Sequence, residues 1–427
     1  YRRGDLLVTM WNGAYSSSGQ PVPPPSLDAG AAYRGANTRD ATAGAGVVVL
    51  DARDPSALRT LAAFPVPGEI ADSRMVGDAL YVATYENPGC YSCGTSQRTM
   101  VTSFDVSDAT AMRKVDQVSF ASSAPDSYEL AWGTSAWKRS IFATSQRLYI
   151  GGHSELSPEV LADDSVTYRE GIIDVLDITD PSGRLGRGQR LEVAGAILSR
   201  WQLDERNGVL RVVSQRGAGR YPNGLGQPKV ETFRVDSAQS ITPLGNTSLQ
   251  LPRQEGLRTV RFDETRAYAI TYNQGDPLFT IDLENPAAPA VRGELHIPGY
   301  MFYLEPHGDR LIGLGVDSGD PNGSLNVSLF DVQDLAHPQL RSRVPFGTPS
   351  VGSDYTIVNY ELPEDQDRIH KALRVFDDGL IAVPFTFAYS NGYYGGGDAC
   401  LGVQGGVQLV DWKNDSLSDR ALLPMRG

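Results

Sequence analysis

The chain has 427 residues with 38 basic and 51 acidic side chains, so its formal net charge at pH 7 is −13. Its Lys and Arg residues are scattered and form no basic face, which argues against nucleic acid as a partner because binding a duplex requires such a face. No apolar run approaches the roughly 18 residues of a membrane-spanning helix, so no transmembrane segment is expected.

One pattern returns seven times along the chain: an alternating apolar run that reaches an Asp, then a turn and a second alternating run. The runs lie at 47–51, 102–106, 173–178, 230–236, 278–283, 328–332 and 407–411. Most are preceded by a hairpin signal, such as Asn207-Gly208 or Asp378-Gly379, between two further apolar runs. Four antiparallel strands per repeat are typical of a β-propeller blade.

The repeat therefore predicts an all-β fold, a single seven-bladed β-propeller domain over 1–427 with long loops on one face. The blades are expected at about 1–66, 67–120, 121–194, 195–251, 252–296, 297–346 and 347–427. The first begins at its second strand, 5–11, so it is either short or completed by residues upstream of Tyr1. A β-solenoid and a string of sandwich domains are the alternatives, and the absence of βαβ alternation disfavours α/β folds.

Several repeats resemble the secreted prokaryotic β-propeller domain family, which is distantly related to WD-repeat proteins. The resemblance covers most of the chain, is strongest over roughly 190–385, and is carried by 260–268, 276–283, 286–289, 293–300 and 311–315, with 73–78 and 370–373 also similar. It implies an exported propeller, often on a cell-surface protein, and supplies no reaction. The long loops 12–45 and 387–405 depart from the family pattern.

Three cysteines occur, Cys90 and Cys93 in one turn-like stretch and Cys400 far along the chain. They show neither the context of a redox motif nor the spacing of a zinc site. We therefore predict a local disulfide between Cys90 and Cys93, with Cys400 left over or paired with one of them.

The loops between second and third strands are long, and several combine aromatic residues with Gly. Tyr side chains on such loops offer flat contact area, which favours a binding face for a glycan, peptide or protein. The alternative is tolerated loop growth with each Tyr packed on its own loop. The candidate contact residues are Tyr85, Tyr91, Tyr221, Tyr389, Tyr393 and Tyr394.

A second candidate site lies on the inner strands. Arg74, Arg261 and Arg374 each stand seven residues before an apolar or aromatic residue of the next strand, at Tyr81, Tyr268 and Ile381. Glu305 has the same offset before Ile312. Equivalent positions in different blades would ring the central channel and bind an anion or polar ligand, for which an Arg fork is suited. The alternative is a mutually paired ring that merely fills the channel.

His307 and His370 fall near the inner strands and could serve acid–base chemistry there. No hydrolase or metalloprotease motif is present, and no nucleophile–base pair is apparent, so we assign no catalytic residue.

The loop 316–323 brings carboxylate and amide oxygens together, and these are the ligands that Ca2+ prefers. Asp317, Asp320 and Asn322 are the candidate ligands, and Ca2+ is the one cofactor that the sequence suggests. An ordinary turn is the alternative, because turns use the same residue types.

We therefore predict an exported or cell-surface binding module without catalytic activity, with periplasmic or lipoprotein placement also open. The chain begins without an initiator Met and is expected to be a processed or trimmed form. A structural spacer in a surface assembly is one alternative. The other is a hydrolase or lyase at the channel mouth, built from Arg74, Arg261, Glu305, Arg374, and His307 or His370.

Overall fold

The computed structural model describes residues 1–11, 14–15, 21–22, 45–86, 97–108, 111–122, 139–153, 171–217, 226–251, 253, 255–272, 277–297, 299–316, 325–347, 356–361, 369–370, 372–390 and 402–425. The chain divides into two compact units, 1–244 and 245–427. Within the described residues, no helix is long and apolar enough to cross a membrane.

The first four sheets follow one another in chain order. Their strands are β1 (Arg2–Arg3), β2 (Leu6–Trp11), β3 (Ala14–Tyr15), β4 (Pro21–Val22), β5 (Ala45–Asp51), β6 (Arg59–Val66), β7 (Glu69–Val76), β8 (Ala79–Glu86), β9 (Gln97–Asp105), β10 (Arg113–Ser122), β11 (Ser140–Ala143), β12 (Arg147–His153), β13 (Gly171–Asp177), β14 (Gly186–Val193), β15 (Leu203–Arg206), β16 (Val209–Ser214), β17 (Lys229–Ser237) and β18 (Ser240–Ser248). Sheet 1 is β1-β2-β5-β6, sheets 2 to 4 each take the next four strands from β7 onward, and β3 pairs with β4 separately. A 3-10 turn, Arg200–Gln202, precedes β15.

Sheets 5 to 7 repeat this arrangement. Their strands are β19 (Gly256–Asp263), β20 (Arg266–Tyr272), β21 (Pro277–Asp282), β22 (Ala290–His296), β23 (Tyr300–His307), β24 (Arg310–Val316), β25 (Leu325–Asp331), β26 (Gln339–Phe346), β27 (Thr356–Glu361), β28 (Arg374–Val375), β29 (Leu380–Ser390), β30 (Gly402–Lys413) and β31 (Ser416–Met425). In sheet 7 the innermost strand is split, because β27 and β28 both pair with β29.

Six antiparallel sheets of four strands and a seventh of five make the described part of the chain a seven-bladed β-propeller, which confirms the predicted fold class. The expectation that the first sheet begins at its second strand is corrected, because Arg2 and Arg3 form a short innermost strand against Leu6 and Leu7. The single-domain prediction and the blade limits stay predictions.

The apolar runs that mark each third strand are explained by burial on both faces. Val175 and Leu176 are adjacent in β13, yet Val175 packs against sheet 4 and Leu176 packs against sheet 2. Both are essentially fully buried. A strand covered on both faces carries apolar side chains at consecutive positions, where a strand with one solvated face would alternate.

The Asp of the repeat closes the turn after the third strand. Five such carboxylates accept a hydrogen bond from the backbone N–H two residues further on, namely those of Asp51, Asp105, Asp177, Asp282 and Asp331. In sheets 1, 2, 5 and 6 the carboxylate also binds an Arg of the outermost strand, which is Arg59, Arg113, Arg292 or Arg341. We call this arrangement the Asp–Arg clamp. It explains why the sequence pattern recurs.

Candidate functional site

The strand register tests the predicted equivalence of the inner-strand positions. Arg74, Arg261 and Glu305 pair with Tyr81, Tyr268 and Ile312, the residues from which their offset was counted. Arg374 instead pairs with Ala382, because its hairpin is one residue longer than expected. Ala382 is the third residue of β29, as Tyr268 is of β20 and Ile312 is of β24. The four positions are therefore equivalent, although Arg374 pairs with Ala382 and not with Ile381.

The side chains at these positions reach toward the next sheet. Residues directly opposite one another in an antiparallel pair share a face of the sheet. Tyr268 packs against sheet 6, and its partner Arg261 accordingly places its guanidinium 4.7 Å from the centroid of the Tyr303 ring. Arg74 likewise donates a hydrogen bond of 3.1 Å to the carbonyl of Ile141 in sheet 3. Arg261 is only 3% exposed, so the guanidinium that was expected to reach a ligand is buried against sheet 6.

A polar cluster forms around the buried hydroxyl of Tyr303. This hydroxyl lies 2.9 Å from Oε2 of Glu305 and 2.9 Å from Nδ1 of His370. Nε2 of His307 lies 3.3 Å from Oε1 of Glu305. The guanidinium of Arg261 lies over the Tyr303 ring and completes the set. We call Arg261, Tyr303, Glu305, His307 and His370 the Tyr303 cluster.

The protonation of the cluster follows from its hydrogen bonds. Burial raises the pKa of Glu305, but hydrogen bonds from His307 and Tyr303 and the two nearby imidazoles outweigh burial, so the pKa lies below its ordinary value. Burial and the charge of Glu305 together raise the pKa of Tyr303. At neutral pH, Glu305 is therefore ionised and Tyr303 keeps its proton, which it donates to the carboxylate.

Burial divides the cluster into a buried floor and a partly exposed rim. Arg261 and Tyr303 are buried beneath, with 3% and 1% of their surface exposed. The side chains of Glu305 and His307 are 23% and 30% exposed, and His370 is exposed. The rings of His307 and Trp412 of β30 make a T-shaped contact, with ring centroids 5.6 Å apart. The rim can therefore hydrogen-bond a ligand or exchange protons with it.

Two further residues were predicted to line the channel, and the ring that they would form stays a prediction. Arg74 belongs to the first compact unit, where it forms an ion pair of 2.6 Å with Asp72. Arg374 lies on β28 with an exposed side chain.

Most of the remaining candidates lie outside the described residues, so their roles stay predictions. These residues are the predicted contact residues Tyr91, Tyr221, Tyr393 and Tyr394, the predicted disulfide partners Cys90 and Cys93, and the predicted Ca2+ ligands Asp317, Asp320 and Asn322. Tyr389 lies within β29, and its side chain is not among those described. Tyr85 is corrected: it is 5% exposed on β8 and offers no accessible ring. No group of three His, Cys, Asp or Glu placed to hold a metal occurs in the described part of the chain.

Tyr303, the residue at the centre of the cluster, was not predicted as a site residue. Tyr303, Glu305 and His307 alternate along β23, and side chains two residues apart share one face of a strand. That alternation was the available signal for Tyr303. Trp412 carried no comparable signal, because its contact with His307 joins strands of different sheets.

The sequence matches a family model and two archaeal proteins. The model of the β-propeller domain family matches residues 99–398, which is more than half of the chain. An uncharacterized protein of Methanocaldococcus jannaschii is 39% identical over 149 residues, and one of Archaeoglobus fulgidus is 34% identical over 151. Each match covers 35% of this chain and 22% of the relative, so the chain matches only about a fifth of those proteins' length.

A solved structure of a protein from Lactobacillus plantarum is similar over 90% of this chain and 93% of its own, with 11% identity and a TM-score of 0.41. Since the family model spans most of the repeats, this chain belongs to the β-propeller domain family.

Proposed function

We propose that the chain is a binding module whose ligand site is the Tyr303 cluster. The observation that carries the proposal is the convergence of side chains from sheets 5 and 6 and of His370 on the buried Tyr303 side chain, with titratable groups left exposed at the rim. Burying an Arg and a Tyr hydroxyl costs free energy that an apolar filling would avoid. Such an arrangement is expected at a site of recognition.

The cellular placement and the loop face complete the proposal. The family resemblance supports an exported or cell-surface protein. The binding face of Tyr-rich loops remains a proposal alongside the Tyr303 cluster, and a glycan, peptide or protein would be its partner.

Proton-transfer catalysis at the same cluster is the second candidate. It is favoured by one observation, the chain of hydrogen bonds from Glu305 through Tyr303 to the imidazole of His370. A carboxylate that orients an imidazole through a hydrogen bond is a recurring element of acid–base sites.

A fragment screen tests the binding role, with the NMR signals of the His residues as the readout. The chain has five His residues, so selective 13C-histidine labelling gives a spectrum of five signals in which His296 and His337 serve as internal references. We expect polar fragments to shift the signals of His307 and His370. Tyr303→Phe removes one hydrogen-bonded hydroxyl and should weaken their binding about fivefold.

Tyr149→Phe is the matched control, because the hydroxyl of Tyr149 also donates to a carboxylate, 2.6 Å away on Glu205, with no imidazole in that contact. It should leave fragment binding unchanged. Fragments that shift neither His307 nor His370, or that bind equally well to the Tyr303→Phe protein, would contradict the proposal.

A further inference from the structure

The hydrogen-bond polarity of the Tyr303 cluster indicates what it can bind. Tyr303 gives its only proton to Glu305, so its oxygen can act toward His370 only as an acceptor. Nδ1 of His370 must therefore carry hydrogen. By the same reasoning Nε2 of His307 carries hydrogen, because its partner is an ionised carboxylate that can only accept.

The tautomers assigned in this way fix the role of the other ring nitrogens. In a neutral imidazole one nitrogen donates and the other accepts, so Nδ1 of His307 and Nε2 of His370 are acceptors. Glu305 has about four acceptor positions, of which Tyr303 and His307 use two. The exposed rim therefore consists of acceptors, whereas the strong donor, Arg261, is buried.

The charges of the rim favour a cation among the possible donors. The charged and titratable groups of the cluster are Arg261 on β19, Glu305 and His307 on β23, and His370 just before β28. Trp412, packed against His307, carries no titratable group. When both imidazoles are neutral, Glu305 is the one charged group among the described residues of the rim.

We propose that the Tyr303 cluster binds a primary ammonium group, which donates its hydrogens to the carboxylate of Glu305 and to the acceptor nitrogen of His307. The ligand class is thus an amine, such as a free alkylamine or a lysine-like side chain. This inference rests on the proposed binding function and narrows it.

Three probes of defined chemistry test the class: butylammonium chloride, tetramethylammonium chloride and sodium acetate, at equal ionic strength. Butylammonium is a cation with donors, tetramethylammonium is a cation without donors, and acetate is an anion. We expect only butylammonium to shift the 13C signals of His307 and His370 in a saturable way. An equal response to tetramethylammonium, or tighter binding of acetate, would overturn the proposal.

Glu305→Gln keeps the shape of the side chain and removes its charge, and should weaken butylammonium binding about tenfold or more. Glu294→Gln is a closely matched control. Glu294 and His296 have the same spacing and a similar contact, 3.2 Å from Nε2 to Oε1, on the outermost strand β22. The control removes one carboxylate charge and should leave binding unchanged. Equal affinities of the two variants would overturn the proposal.

The comparison of butylammonium with tetramethylammonium uses the unsubstituted protein, so it also decides the matter if Glu305→Gln fails to fold. The experiments distinguish a wrong ligand class from a wrong binding function. If anionic fragments shift the signals of His307 and His370, the cluster is a binding site but its ligand is not an amine.

Discussion

At the scale of single residues, the Asp–Arg clamp of sheet 6 shows how one carboxylate serves several purposes. Asp331 accepts hydrogen bonds from the backbone N–H of Gln333 and from the side chains of Arg310 and Arg341. The hydrogen bond from Arg341 is the largest influence on its pKa and, with the other two partners, holds the pKa below its ordinary value against the effect of burial. The same residue therefore ends the strand, caps the turn and fixes the outermost strand.

Asp331→Asn should destabilise the protein by about 1–2 kcal/mol, because the amide keeps one acceptor oxygen but loses the charge that the Arg side chains require. Thermal and urea unfolding measure this change. Asp334→Asn is the control, since Asp334 caps the same connection through Ala336 but its side chain is 65% exposed. A control that is as unstable as Asp331→Asn would refute the importance of the clamp.

At the scale of elements, Arg side chains connect the inner hairpins of neighbouring sheets. Arg266 at the start of β20 bonds to Asp309 and to the carbonyls of Gly308 and Val332 in sheet 6. Arg3 in sheet 1 bonds to Asp78, Gly77 and Val106 of sheet 2 in the same way. A further pair joins Arg147 to Glu205, and Arg310 reaches Asp415 in the outer hairpin of sheet 7, between β30 and β31. The hairpins are thus tied by side chains as well as by the apolar core.

Arg266→Lys should lower the melting temperature, corresponding to a loss of about 0.5–1.5 kcal/mol, although the charge is kept. The compact ammonium cannot reproduce the planar fork that reaches a carboxylate and carbonyls together. Arg234→Lys is the control, because Arg234 pairs with Asp236 of its own strand and both side chains are more than half exposed. Its effect should stay within about 0.5 kcal/mol. Equal melting temperatures for the two variants would show that the inter-sheet contacts of Arg266 add nothing.

At the scale of the whole molecule, the repeat was visible in the sequence and the site was only partly so. The apolar runs that reach Asp predicted seven blades. The apolar run follows from the burial of the third strand, and the Asp follows from the hydrogen bonds of the turn after it, so both are encoded locally. The equivalence of Arg261 and Glu305 was also predictable, since it depends on hairpin spacing alone. The inward turn of Arg261 was not, because it depends on which sheet lies beside β19. The contact between Tyr303 and His370 joins residues 67 positions apart, which no local pattern encodes.

The repetition of the Asp–Arg clamp makes acid sensitivity a property of the whole molecule. The pKa values of Asp51, Asp105, Asp282 and Asp331 are all held below their ordinary values, by contacts from backbone N–H groups and from Arg or Ser side chains. A carboxyl whose pKa falls on folding stabilises the folded state fully above its unfolded pKa of about 4, and this contribution is lost as pH falls through the folded pKa.

We therefore expect the melting temperature to change little between pH 7 and 5 and to fall steeply below about pH 4, as several clamps are protonated together. Differential scanning calorimetry from pH 7 to 2.5 measures this profile. The Asp331→Asn protein should begin from a lower melting temperature and lose less of it on acidification, because one of the titrating groups is absent. Parallel profiles for the two proteins would mean that acid acts on other carboxylates, and a melting temperature that rises below pH 4 would reverse the sign that the clamps require.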